Sequence, residues 1–269
     1  LPIGATLAQA LELLHAACGK LVVLVIDEAQ HALTTEAGVN AMFALKAARD
    51  DLNQGRERDG LRLVFTGSSR DKLAHLVLNS KQPFFGSSIT PFPLLGDDFV
   101  AAYTAKLNTY LAATNQFNPD DVAAAFDLVG RRPEMLRSII ANVSLELGAA
   151  SDLGKLVMDG AETIRNGLWV EFESAYNSLT VAQQAVLEVM ADRARKIQVF
   201  APFAGETLSD VAWVVSRLGG DTVPTTATIQ AAIDGLRDKE LVWKSNRGAY
   251  ALEDKSIAEW LRMQATQAS

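Results

Sequence analysis

Leu21-Val-Val-Leu-Val-Ile-Asp-Glu-Ala-Gln30 is the stretch on which the reading of this chain turns. Six aliphatic residues, Leu21 to Ile26, run without interruption into two acids, Asp27 and Glu28. Such a short continuous apolar run reads as a strand buried on both faces, the kind found in parallel sheets. Upstream, Leu7, Leu11, Leu14 and Cys18 recur at a helical period until Gly19-Lys20 breaks it. Downstream, a helix is expected from Glu36 to Leu52, with Val39, Met42 and Phe43 on one face. The polar stretch 53–60 then reads as a surface loop, and Leu61 to Thr66 as a second buried strand running into Gly67-Ser68-Ser69. Strand, helix, strand is the βαβ unit of an α/β domain, with a right-handed crossover.

The pattern changes after the loop-like segment Pro83 to Pro93, and helical periods take over. Val122, Ala125, Phe126 and Val129 mark one helix, and Met135, Leu136, Ile139, Ile140, Val143 and Leu147 a second that starts at Pro133. Leu168, Trp169, Phe172, Tyr176 and Leu179 mark a third. The last stretch differs again. Thr180-Val-Ala-Gln183 is a capping box, and helices follow around Leu208 to Leu218 and from Thr225 or Thr226 through Leu236. Leu241-Val-Trp243 and Tyr250-Ala-Leu252 flank Asn246-Arg247-Gly248, a hairpin signal, before a final helix from Lys255 to Met263. Three helices and a two-stranded ribbon are the order of a winged helix-turn-helix. The expected domains are therefore an α/β core over 1–95, a helical domain over 96–179 and a winged helix over 180–269.

Composition narrows the function classes. Of 269 residues, 49% are hydrophobic and 21% charged, which suits a folded protein with a sizeable core. No apolar run approaches the roughly 20 residues needed to cross a bilayer, and the expectation is a soluble, cytoplasmic protein without membrane partners. The single cysteine, Cys18, excludes an internal disulfide framework, and three histidines leave little for a zinc site. A net charge of −7 argues against coating nucleic acid by bulk electrostatics.

Asp27 and Glu28 carry the sharpest chemical signal. A buried strand would fix the first carboxylate at the carboxyl edge of the sheet, where ligands of open α/β sheets bind. This is what a Walker B site needs: Asp27 to hold Mg²⁺, Glu28 to orient the water that attacks a γ-phosphate. The plainer alternative is an acidic helix cap behind an ordinary strand. The second strand would bring Thr66 and Ser68 to the same edge, where either hydroxyl can reach a terminal phosphate or the attacking water. Ser69 reads as the N-cap of a helix starting near Arg70.

Together, the Ile26-Asp-Glu-Ala-Gln30 strand end, Thr66-Gly-Ser-Ser69, Pro83-Phe-Phe-Gly86 and the Gly130-Arg-Arg-Pro133 turn resemble P-loop ATPases of the STAND and archaeal-ATPase type. These are relatives of AAA+ proteins and of origin-recognition ATPases. The resemblance covers most of the chain, since many members carry a helical lid and a winged helix behind the ATPase core. It implies an ATP- and Mg²⁺-dependent switch, with the Walker B pair on Asp27 and Glu28 and the sensor on Thr66 or Ser68. Gly130, Arg132 and Pro133 would lie against the nucleotide. Two positions and one motif depart from the pattern. Ser87 stands where many relatives have arginine, and Arg131 where glycine is frequent. More consequentially, no G-x-x-x-x-G-K-[ST] loop occurs in the sequence. Cys18-Gly19-Lys20 does not qualify, because it follows a helix and precedes a strand. In the family the strand bearing that loop lies between the sensor strand and the strand after it. The expectation is that a segment preceding Leu1, or another chain, completes the sheet, and that these 269 residues alone do not hydrolyse ATP.

For the winged helix, candidate DNA contacts are Thr226 and Thr228 on the recognition helix and Lys244 and Arg247 on the wing. Residues 180–269 hold 10 basic and 11 acidic side chains, whereas a dedicated DNA binder usually shows a basic surplus. A winged helix used for packing, or for contact with a partner protein, is the competing expectation. The function read from the sequence is an ATP-binding regulatory switch. The alternative is a non-hydrolysing ATPase-like adaptor or DNA-binding scaffold. A metal-dependent hydrolase built on Asp27 and Glu28 is a weaker third reading, because no further ligand cluster accompanies them.

Overall fold

The computed structural model describes residues 6–55, 60–90, 92–146, 152–221, 223–244 and 249–267. The chain divides into two compact units, Leu1–Thr90 with Ala185–Asp254 and Pro91–Gln184 with Lys255–Ser269.

The first unit begins with helix α1 (Leu7–Cys18). Thr6 and Gln9 form a reciprocal capping box at its start, and left-handed Gly19 closes it. Strand β1 (Val22–Ile26) follows, then a 3₁₀ turn over Ala29–Thr34 and helix α2 (Glu36–Asn53). Asn53 ties the end of α2 to the next strand: its Oδ1 accepts from Gly60 N at 2.8 Å and Leu61 N at 2.9 Å, while its Nδ2 donates to Leu61 O at 3.0 Å. Strand β2 (Leu61–Phe65) pairs parallel with β1, from Val22 opposite Leu61 to Ile26 opposite Phe65. Val22, Leu24, Ile26, Leu63 and Phe65 line one face of this sheet. They pack on Leu11 of α1, on Met42, Leu45, Ala48 and Leu52 of α2, and on Leu76 of helix α3 (Arg70–Leu78).

The other face departs from the sequence reading. Both strands were expected to be buried on both sides, yet Val23 is 53% exposed, Val25 59% and Val64 43%. Strands acquire apolar residues on both faces when layers cover both. Among the described residues only one face is covered.

The second unit is helical. Helices α4 (Asp97–Asn108), α5 (Pro119–Leu128), α6 (Pro133–Glu146) and α7 (Leu153–Asn177) share a core built from Val100, Val122, Phe126, Leu136, Ile139, Val157 and Ala161. Leu147, included in the sequence pattern for α6, lies outside the described residues. The third helix expected here, marked by Leu168, Trp169, Phe172, Tyr176 and Leu179, runs from Leu153 to Asn177, so it reaches well upstream of those residues and stops before Leu179. Its first half buries Val157 and Ala161, whereas Phe172 and Tyr176 in its second half lie against Trp260.

The remaining elements of the first unit are α8 (Val181–Arg195) from Ala185 onward, α9 (Gly205–Arg217), α10 (Thr226–Asp238), and strands β3 (Val242–Lys244) and β4 (Tyr250–Leu252). β3 and β4 pair antiparallel, Val242 opposite Leu252, and a single antiparallel bridge joins Phe200 to Tyr250. The turn Asn246-Arg247-Gly248 lies outside the described residues. Helix α11 (Ser256–Gln267), which carries Trp260, belongs to the second unit.

Four helices end in the same way, with a left-handed residue followed by an N–H that reaches back five residues. These are α5 at Gly130, α8 at Ile197, α9 at Gly219 and α10 at Glu240. Gly130 and Gly219 meet this requirement without strain. Ile197, at φ 56°, is β-branched and meets it at a cost.

Candidate functional site

The two acids at the end of β1 are held by the turn at the end of β2. Backbone bonds set the frame: Thr66 N donates to Ile26 O at 3.0 Å, and Ala29 N to Thr66 O at 2.9 Å. Within that frame the Thr66 hydroxyl donates to Asp27 Oδ1, which also accepts from Glu28 N at 3.0 Å. Glu28 sits in the left-handed region at φ 52°, an uncommon place for a non-glycine residue. That conformation points the chain back toward β2, and one oxygen, Oε2, gathers the Gln30 side-chain amide, Ser68 N at 3.3 Å and Ser68 Oγ at 3.0 Å. These donors hold the Glu28 carboxyl below the ordinary carboxylate value, the Gln30 amide first, then the Ser68 backbone and hydroxyl. Slight desolvation and the charge of Asp27 pull the other way.

Asp27, Glu28, Thr66 and Ser68, predicted separately from two strand ends, therefore form one hydrogen-bonded group. Sequence reasoning quoted Gln30 but gave it no role. It is 4% exposed, and its Oε1 has no hydrogen-bond partner among the described residues. A Cβ added at Gly67 would fall well inside van der Waals contact of that oxygen. Gly67 is thus glycine for space. Ser69 occupies the N-cap position of α3 as expected, but its side chain makes no capping bond. His31 is exposed on the 3₁₀ turn.

The remaining predicted residues lie elsewhere. In the second unit, Gly130 is the left-handed residue closing α5, at φ 70°, and Pro133 is the first residue of α6. Between them Arg131 is also left-handed, at φ 55°, a conformation that glycine adopts at no steric cost. Arg131 is anchored there by Asp127 at 2.6 Å, Asp97 at 3.0 Å and the Leu95 carbonyl at 3.2 Å. The carbonyl of Arg132 accepts from Met135 N and Leu136 N, each at 3.1 Å, in the first turn of α6. In the first unit, Thr226 opens α10, and the Thr228 hydroxyl is engaged in the capping box with Thr225. Lys244 ends β3, with its N–H donating to Asp71 Oδ1 at 3.0 Å. Arg247 lies outside the described residues.

The group at the strand ends offers only oxygen donors: an exposed carboxylate, a second carboxylate and two hydroxyls. That chemistry suits a hard cation such as Mg²⁺. Among the described residues no cluster of three or more His, Cys, Asp or Glu side chains could hold a metal unaided. Also among them, no helix is long and apolar enough to cross a membrane.

No family model and no curated protein matches the chain. Solved structures do. The Aeropyrum pernix ORC2 protein in its ADP form aligns over 100% of this chain and 72% of its own, at 13% identity and a TM-score of 0.58. The same protein in ADPNP–ADP complexes aligns over 100% and 73%, at 14% identity and a TM-score of 0.52. The Aeropyrum pernix ORC1 protein in complex with DNA aligns over 96% and 69% at 15% identity, but its TM-score of 0.37 is too low to bear on the fold. At these identities the likeness concerns the fold alone, which in this chain is mostly helical with a small parallel sheet.

Proposed function

We propose that this chain is an ATP-binding regulatory switch of the STAND/AAA+ type, in which nucleotide state is coupled to a C-terminal winged helix. The observation that carries the reading is the bonded group Asp27–Thr66 and Glu28–Ser68 at the carboxyl ends of two parallel strands. The nucleotide-bound forms of the ORC2 neighbours lend it support at the level of fold.

Asp27, with the Thr66 hydroxyl beside it, is the candidate for holding Mg²⁺. Bound magnesium would neutralise charge on phosphate oxygens. Glu28 uses Oε2 for its three donors, which leaves Oε1 to accept a hydrogen bond from a water. The depressed pKa keeps that carboxylate ionised at neutral pH, so it orients the water as an acceptor. Ser68 or Thr66 would sense the terminal phosphate, and Gly130, Arg132 and Pro133 would contribute nucleotide contacts from the helical domain. A phosphate-cradling loop would come from a further strand paired at an edge of the sheet, and the helix after it could cover the exposed face of Val23, Val25 and Val64.

The proposed modules are the ATPase-like core over 1–95, the lid over 96–179 and the winged helix over 180–269. Three helices, the β3–β4 ribbon and the Phe200–Tyr250 bridge support the last of these. The near-neutral charge of that region, and the engagement of the Lys244 N–H by Asp71, favour a packing role over DNA binding. Titrating ATP with and without Mg²⁺ onto the intact gene product and its Asp27→Asn variant tests the proposal. Binding that tightens with Mg²⁺ in the native protein but not in the variant is expected. Equal Mg²⁺ dependence in both would contradict it.

A further inference from the structure

Helix α3 joins two regions far apart in sequence. It starts directly after the Thr66–Ser69 turn that holds the acid pair, and its first three residues bond to the C-terminal part of the same unit. Arg70 N donates to Glu253 Oε1 at 3.1 Å. Asp71 receives two bonds from the Arg237 guanidinium, at 3.0 and 2.9 Å, and a third from Lys244 N at 3.0 Å. Lys72 Nζ pairs with the Glu240 carboxylate. The Arg70 guanidinium also lies 5.8 Å from the centre of the Trp243 ring.

Two details make this more than surface pairing. A helix N-terminus leaves backbone N–H groups without intrahelical partners, and a nearby side chain normally takes one of them. Ser69 does not do so; Glu253, just beyond β4, supplies the carboxylate instead. In addition, Asp71 and Arg237 are only 19% and 30% exposed, and their bidentate geometry is specific in direction. The start of α3 is thus capped and aligned by the ribbon, while the residues just before it align Asp27 and Glu28.

We propose that α3 is a transmission element: Asp71 and Glu253 latch the β3–β4 ribbon to the turn carrying Thr66 and Ser68, so that turn and ribbon change position together. Asp71 is then a positioning residue that acts on Ser68 through the first turn of α3. The inference rests on the switch reading above and adds the physical route by which nucleotide state would reach the ribbon.

Backbone amide hydrogen exchange, read by NMR on the chain without nucleotide, tests the route separately from the switch reading. In Asp71→Asn, the Lys244 amide loses a charge-assisted acceptor and should exchange about tenfold faster. The Ser68 amide, which touches none of the altered atoms, should also exchange faster, by roughly fivefold, the lower end of ordinary coupling strength. Conversely, Ser68→Ala should speed exchange at Lys244. Faster exchange at the mutated end with no change at the other, in both directions, overturns the latch. Should Asp71→Asn fail to fold, Lys72→Gln removes the more exposed link, to Glu240, and is expected to give about a twofold rise at both the Lys244 and the Ser68 amides. A rise confined to Lys244 overturns the proposal. Failure to bind ATP would sink the switch reading and leave these exchange results standing.

Discussion

Replacing Gly67 by alanine places a methyl group where Gln30 Oε1 now sits. Gln30 is 4% exposed and cannot simply swing into solvent. Forcing a methyl into a filled site costs about 1–3 kcal/mol. Gly67 is not among the left-handed glycines, so alanine adopts its backbone conformation and recovers about 0.4–1 kcal/mol by restricting the unfolded chain. The expected net loss is about 1 kcal/mol of stability. The displaced Gln30 amide should also release Glu28 Oε2 from its largest pKa-lowering partner, so the Glu28 carboxyl should titrate at higher pH. Urea unfolding gives the first quantity, and carboxyl-carbon NMR the second. In a Gln30→Ala background the obstruction is gone, and Gly67→Ala should become neutral or slightly stabilising. Equal destabilisation in both backgrounds would refute the reasoning, because the cost would then have nothing to do with Gln30.

Other predictions follow from single residues. Ile197 is 95% exposed and left-handed, so Ile197→Gly should relieve a penalty of about 1–2 kcal/mol, less some unfolded-state entropy, and raise the urea midpoint. Gly219→Ala, at φ 78° with open space around the added Cβ, should lower it by a similar amount. Glu253 is pushed above its ordinary value of 4.5 by burial, with Asp71 and Glu240 adding to the effect against Arg70. A carboxyl raised in the folded state binds protons more tightly there than when unfolded, so its contribution to stability falls as pH rises from the unfolded value through the folded one. Glu253→Gln keeps an oxygen for Arg70 N. It should match or exceed the native stability at pH 7, with that advantage shrinking as both proteins are acidified in pH-resolved unfolding.

The local elements were legible because their signals are local. Leu21 to Ile26 is too short and too continuous for anything but a strand, and Thr180-Val-Ala-Gln183 forms the reciprocal cap its spacing implies. That Asp27, Glu28, Thr66 and Ser68 share one edge followed from putting two strand ends together in a parallel sheet, whereas the direct bonds Asp27–Thr66 and Glu28–Ser68 emerge only in the structure. Three features could not be read this way. Whether an aliphatic face is covered depends on what packs over it, which is why Val23 and Val25 looked buried. Gln30 gains its role only because Glu28 turns left-handed and brings the two side chains together. Asp71 looks like an ordinary first-turn acid, and its partners, Arg237 and Lys244, lie 166 and 173 residues away.

The central claim is that Glu28 orients a water for attack on a nucleotide phosphate. It is tested most directly by comparing ATP binding and ATP turnover in the intact gene product and in its Glu28→Gln variant. The account predicts that the variant binds ATP as the native protein does and turns none over. Undiminished turnover in the variant would contradict it.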